Sequence, residues 1–146
     1  MRIAITGALG HIGSYTIRNL GLKNSSYKFT LIDNLLTQRY ASLFNLPATN
    51  DYNFLEKDVS KDDIESDLDN IDILIHLAAM TDAANSFENP DELERNNLLS
   101  TEKVSNLCLK KGIRLIFLSS TSVYGTQKKI VAEDCSDDDL KPQSPY

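Results

Sequence analysis

Residues 1–13 read MRIAITGALGHIG, and this stretch decides the fold. Arg2 to Thr6 is a short apolar run carrying two isoleucines and ending at a glycine. Such a run suits a strand covered on both faces, as in a parallel sheet. Three glycines follow at a spacing of three, Gly7, Gly10 and Gly13. Ile12, Tyr15 and Leu20 then recur at helical spacing. A strand, a glycine turn and a helix start form the context in which a phosphate-binding loop has meaning. Gly7 permits a tight turn, Gly10 lets a pyrophosphate approach the backbone, and Gly13 lets the helix pack closely on the strand. The helix start adds free N–H groups and the positive end of a dipole.

The second element of the reading is Asp33, twenty residues beyond Gly13, at the end of a short strand from Tyr27 to Ile32. A carboxylate at this position accepts hydrogen bonds from the adenosine ribose, and its charge repels a 2′-phosphate. NAD is therefore expected rather than NADP. A plainer role, closing a turn with Asn34, is compatible with the same residue.

Bulk properties narrow the function classes. A chain of 146 residues is the length of one domain. A hydrophobic share of 41% with 25% charged residues is ordinary for a water-facing globular chain. The net charge of -6 argues against a nucleic-acid surface, which would be basic. No apolar run approaches the roughly 20 residues of a membrane span. The opening apolar run is cut short by glycine, so it does not read as a secretory signal. A cytoplasmic enzyme is expected. The two cysteines, Cys108 and Cys135, lack metal-ligand spacing and are expected as free thiols; no metal site is expected.

Along the rest of the chain, Gly21 is expected to stop the first helix. A short helix is expected within Gln38 to Phe44, a third strand over Tyr52 to Leu55, and a helix over Ser60 to Leu68. Asp58 either caps that helix or, with Val59, brackets adenine. Ile71 to Leu77 reads as a buried fourth strand, followed by Ala78 and Ala79, small residues that admit a ligand at the strand end. His76 lies within this strand and reads as structural rather than as a base. Asn89 to Lys111 is expected to be helical, with a break at Asn96 and Asn97, since asparagine is a poor helix former. Ile113 to Leu118 is the fifth strand, and Ser119 to Gly125 brings hydroxyls to its ligand-facing end. The acidic stretch from Gln127 to Lys141 reads as a solvated loop. Strands alternating with helices imply an α/β, Rossmann-like, doubly wound parallel sheet of order 3-2-1-4-5.

The six markers TGALGHIG at 6–13, IDN at 32–34, DV at 58–59, HLAA at 76–79, SSTSVYG at 119–125 and PQSPY at 142–146 occur in order. In this pattern the whole chain resembles the N-terminal part of an extended short-chain dehydrogenase/reductase, in the nucleotide-sugar epimerase/dehydratase family that includes UDP-glucose 4-epimerases. The resemblance implies that Gly7, Gly10, His11, Ile12 and Gly13 line the pyrophosphate. It implies that Asp33 and Asn34 hold the adenosine ribose and that Asp58 and Val59 flank adenine. Leu77, Ala78, Ala79 and Thr81 would follow the cofactor backbone, and Asn97 would shape the site. Ser120 matches the catalytic Ser/Thr and Tyr146 the catalytic tyrosine of the family.

Two departures refine the expectation. The family motif lysine, four residues beyond the tyrosine, is not among residues 1–146, nor is the substrate-binding region. A tyrosine near pKa 10 is only about one part in a thousand ionised at pH 7. Without the lysine to lower that value, this stretch by itself is expected to be a non-catalytic, NAD-binding domain spanning 1–146 of a larger enzyme. The dehydratase branch commonly carries Asp and Glu where this chain has Thr121 and Ser122. An epimerase acting on a nucleotide sugar through a keto intermediate is therefore favoured. A reductase, a dehydratase, a decarboxylase, or an NAD-binding module without chemistry are the alternatives. A sheet left partly uncovered after the fifth strand implies self-association as a homodimer or aggregate.

Overall fold

The computed structural model describes residues 1–81, 90–127 and 130–142. Five strands form one parallel sheet: β1 (Arg2–Thr6), β2 (Lys28–Asp33), β3 (Asp51–Glu56), β4 (Ile73–His76) and β5 (Arg114–Phe117). Their order is β3-β2-β1-β4-β5, as the alternation of elements implied. β1 lies at the centre, with Ile5 paired to Leu31 on one side and to Ile75 on the other. Among the described residues, two α-helices accompany the sheet, α1 (His11–Lys23) and α2 (Pro90–Lys111).

The alternation of side chains along a strand sorts the core into two halves. Ile3 and Ile5 of β1 point to one face, where they join Ile17 of α1, Leu9, Phe29 and Leu31. Ala4 points to the other, with Leu74, Val104 and Cys108 of α2, Ile64 and Leu68. Both faces of β1 are thus buried, which is why its sequence is apolar without alternation. Cys108 and Cys135 are both free thiols; burial pushes the Cys108 thiol above its ordinary value.

Five local expectations are corrected. α1 does not stop at Gly21 but runs through it to a C-cap at Asn24. Gly21 is buried because a Cβ there would meet the side chains of Asn50, Pro47 and Tyr52 at 3.0–3.1 Å. Nor does α1 bury Ile12 and Tyr15, which are exposed; Gly13, Ser14, Ile17 and Gly21 form its inward face. Small residues face inward because the helix start lies against backbone rather than side chains. The segment after β3 is not a helix over Ser60 to Leu68. It is a series of turns with one 3-10 turn at Ser66–Leu68. Asp58 accepts from the Ser60 N–H and Asp63 from the Glu65 N–H, and these local bonds compete with helix formation. Finally, α2 passes unbroken through Asn96 and Asn97. The expected helix within Gln38 to Phe44 is reduced to a 3-10 turn at Tyr40–Leu43.

The glycine turn is where the elements meet. Gly7 has a φ of +63°, and a Cβ on it would lie 2.7 Å from the Ala78 nitrogen. A Cβ on Gly13 would lie 2.5 Å from the Gly7 carbonyl oxygen. Both neighbours are backbone and cannot yield cheaply. A Gly13→Ala substitution is expected to lower stability by about 1–3 kcal/mol through overpacking. Calorimetric melting checks this, and an unchanged melting temperature contradicts it. At the other side of the sheet, Ile116, Phe117 and Leu118 are 43–51% exposed on the edge formed by β5. This apolar edge is expected to drive self-association. Light scattering that shows only monomer at high concentration contradicts that expectation.

Candidate functional site

The C-terminal ends of the parallel strands surround a cleft of about 1000 Å³. Open α/β sheets bind ligands at this end, where the chain leaves neighbouring strands in opposite directions. The cleft is lined by Gly7, Gly10, His11, Ile12, Gly13, Asp33, Asn34, Asp58, Val59, Leu77, Ala78, Ala79, Thr81, Asn97 and Ser120. Every described residue that the sequence singled out therefore borders one space. Tyr146 lies outside the described residues.

Asp33 is the last residue of β2, and its carboxylate reaches the glycine loop. One oxygen accepts from the Leu9 N–H at 2.9 Å; the other accepts from the Leu35 N–H at 2.9 Å. Each oxygen keeps acceptor capacity for a further donor. The start of α1 is open toward the cleft. Its N-cap is Gly10, no side chain caps it, and no acidic residue occupies its first turn. The uncapped N–H groups and the helix dipole favour an anion there. Gly10 itself is crowded only by the Gly7 carbonyl, 3.3 Å from where a Cβ would be.

Beyond β2, Asn34 donates to Asp58 at 3.4 Å, and Lys61 pairs with the same carboxylate at 3.2 Å. Burial alone would raise the Asp58 carboxyl. Hydrogen bonds from Ser60, Lys61 and Asn34 outweigh it and hold the pKa below its ordinary value of 3.8. Beyond β4, the side chain of Asn97 clamps Met80 from both sides. Its oxygen accepts from the Met80 N–H at 2.8 Å, and its amide donates to the Met80 carbonyl at 3.0 Å. The asparagine that seemed to weaken α2 thus holds Met80, beyond the end of β4, against the helix. Ser120 caps a 3-10 turn at Thr121–Tyr124, accepting from the Ser122 N–H and donating to the Ser122 hydroxyl at 2.8 Å.

His76 is the last residue of β4, not an interior one, and only 2% exposed. Burial lowers its pKa from 6.5 to about 4, so it is neutral at pH 7. Its Nδ1 lies 2.6 Å from the Thr6 hydroxyl. The expectation that it lies inside the strand is corrected: it stands at the strand end and borders the cleft.

Arg39 was not singled out by the sequence. Its guanidinium donates to the Leu9 carbonyl at 3.3 Å and lies 2.9 and 3.2 Å from the two ring nitrogens of His11. It brings a fixed cation to the glycine-loop side of the cleft. The available signal was a lone arginine six residues beyond Asp33 in an otherwise uncharged segment. Among the described residues, no group of three or more His, Cys, Asp or Glu is placed to hold a metal ion, and no helix is long and apolar enough to cross a membrane.

Residues 3–146 match the NAD dependent epimerase/dehydratase family. The chain belongs to this family. It is 32% identical over 153 residues to a trifunctional UDP-glucose 4,6-dehydratase/UDP-4-keto-6-deoxy-D-glucose 3,5-epimerase/UDP-4-keto-L-rhamnose-reductase of Arabidopsis thaliana, covering 99% of this chain and 23% of the relative. The UDP-Glc/GlcNAc 4-epimerase of Campylobacter jejuni has a similar structure, with a TM-score of 0.86 and 30% identity over 99% of this chain and 44% of that one. The UDP-glucuronic acid 4-epimerase of Bacillus cereus, in complex with UDP-glucuronic acid and NAD, gives a TM-score of 0.81 at 31% identity over 100% of this chain and 48% of that one. The chain therefore spans less than half the length of these epimerase/dehydratase relatives.

The buried histidine and the bonded carboxylate both predict acid sensitivity. Between pH 6.5 and about 4 the unfolded chain protonates His76 while the folded chain resists. The unfolded state then binds more protons, so stability falls as pH falls through this window, by about 3 kcal/mol in all. Asp58 acts in the same direction lower down: its contribution is present above 3.8 and is lost as pH falls through its depressed folded value. Denaturant melts from pH 7 to pH 4 are expected to show this loss, and His76→Gln is expected to flatten its upper part. A wild-type slope that the substitution leaves unaltered would contradict the assignment.

Proposed function

We propose that the chain seats NAD across the tips of β2, β1 and β4, and forms the cofactor-binding part of a nucleotide-sugar 4-epimerase. The observation that carries this reading is the junction of Asp33 with the glycine loop, 2.9 Å from carboxylate to the Leu9 N–H. It puts a ribose acceptor and a phosphate cradle side by side, as an adenine dinucleotide requires. The cradle also fits by its emptiness, since Gly10 presents no side chain at the uncapped helix start.

In this reading Gly7, Gly10, His11, Ile12 and Gly13 hold the pyrophosphate, with Arg39 supplying a countercharge. Asp33 and Asn34 hold the adenosine ribose, and the Asp33 charge disfavours a 2′-phosphate. Asp58 and Val59 bracket adenine. Leu77, Ala78, Ala79 and Thr81 follow the cofactor toward the nicotinamide end, and Asn97 holds their segment in place. Ser120 would hydrogen-bond the reacting sugar oxygen, and Tyr146 would exchange its proton. NAD, when bound, supplies reversible two-electron oxidation at a sugar carbon. Thr121 and Ser122 leave no acid and base for eliminating water, which favours epimerisation over dehydration.

Calorimetric titration with NAD is expected to show binding by this chain. Asp33→Ala should weaken it by about ten- to a hundredfold, the loss of hydrogen bonds to a charged acceptor. Gly10→Ala should weaken it while leaving the melting temperature nearly unchanged. Equal affinity for NAD and NADP would overturn the role given to Asp33. For the reaction, a chain extended to the length of the relatives should convert a UDP-hexose into its C4 epimer, followed by proton NMR. Loss of water with no epimer formed would overturn the choice of epimerase.

A further inference from the structure

Leu77 to Thr81 is the segment along which the cofactor would pass, and two sets of partly buried polar bonds fasten it. At its far end Asn97 clamps Met80 through both backbone groups. At its near end the Leu77 and Ala78 N–H groups lie 3.2 and 3.3 Å from the Thr6 hydroxyl oxygen, which accepts from them. Thr6 is fully buried. Its oxygen is occupied as an acceptor, so its proton goes to the remaining neighbour, Nδ1 of His76, 2.6 Å away. That makes Nδ1 an acceptor and leaves the proton of the neutral ring on Nε2. Nε2 faces the Thr101 hydroxyl at 3.4 Å, and Thr101 donates its own proton to the Asn97 carbonyl at 2.8 Å. Phe117 of β5 covers the ring, with centroids 6.1 Å apart. Every donor in this chain finds an acceptor.

We propose that His76 is a positioning residue for the cofactor segment. Fixed as the Nε2–H tautomer, it couples the tip of β1 through Thr6 to α2 through Thr101, and so ties the near fastening of residues 77–81 to the far one at Asn97. The inference rests on the cofactor reading above and deepens it. The neighbours from β1, α2 and β5 that meet the ring, namely Thr6, Thr101 and Phe117, are all uncharged. An imidazolium could not accept from Thr6, because both of its nitrogens are donors. A ring with Nδ1–H would likewise point a proton at the Thr6 hydroxyl, which would then release the Ala78 N–H, while Leu77 keeps its bond to the Thr6 carbonyl at 3.1 Å.

Long-range proton–nitrogen NMR on the chain with labelled histidine reads the tautomer directly at pH 7, without cofactor. The sequence holds two histidines, so His11→Ala identifies the remaining signals as those of His76. The expected result is a protonated Nε2 and a bare Nδ1. An Nδ1–H tautomer, or a charged ring at pH 7, overturns the proposal. The coupling to α2 is read by NAD titration of Thr101→Val, which removes the hydroxyl while keeping the shape, and of Thr101→Ser, which keeps it. Thr101→Val should bind NAD about three- to tenfold more weakly and show a mixed tautomer. Thr101→Ser should restore both. Unchanged affinity and tautomer in Thr101→Val overturn the positioning role. If the unsubstituted chain failed to take up NAD, the cofactor reading and the positioning role would fall together. The tautomer spectrum would still decide the bonding chain on its own.

Discussion

The backbone of β1 has to turn away at Gly7 while lying directly against the tip of β4. A Cβ at this residue would stand 2.7 Å from the Leu77 carbonyl carbon and the Ala78 nitrogen, and the turn itself needs a φ of +63°. Only glycine meets both demands without strain. Once the chain has turned here, Gly13 sets the start of α1 onto the Gly7 and Ala8 carbonyls. The helix then begins with its N–H groups facing the space that the strand tips enclose. The cleft is thus a consequence of how closely three pieces of backbone approach one another.

Polar bonds add to apolar packing in fixing the walls of that cleft, where Ile32, Val59, Leu77 and Ala78 belong to the hydrophobic clusters. The core beneath is held by aliphatic packing on two faces of the sheet. Above it, Asp33 ties the glycine loop to the segment after β2, and Arg39 and Ser42 both donate to the Leu9 carbonyl. On the other side, Thr6, His76, Thr101 and Asn97 tie β1 and β4 to α2. Buried polar groups are costly unless satisfied, and among the described residues no buried side-chain nitrogen or oxygen lacks a partner. A satisfied network of this kind holds a unique geometry, as a site for a large, flexible dinucleotide requires.

The family likeness and the local residues speak at different levels. Relatives that resemble this chain include both a dehydratase-bearing enzyme and 4-epimerases, at nearly equal identity. Both reactions thus occur among relatives of like similarity, and the proposed preference for epimerisation rests on two side chains, Thr121 and Ser122. At the sheet edge, Ile116 and Phe117 of β5 are about half exposed.

The order of the sheet and the grouping of the cleft residues were legible in the sequence. Both depend on local signals: glycines at fixed spacing, apolar runs ended by Asp33 or by small residues, and strands alternating with helices. Less legible was everything set by contacts between segments far apart in the chain. Gly21 reads as a helix stop but lies inside α1, because Asn50 and Tyr52 need the space a side chain would fill. Asn97 reads as a helix breaker but is held in α2, because its amide is engaged with Met80. Arg39 carried no local pattern, and its place beside His11 arises only when the segment after β2 folds back over the glycine loop. By itself the sequence determined the strand–turn–helix framework and the residues around the cleft, since those follow from backbone freedom and periodicity along the chain. Only the tertiary structure decided which polar groups join across it, because hydrogen bonding depends on partners brought together from about seventy residues apart.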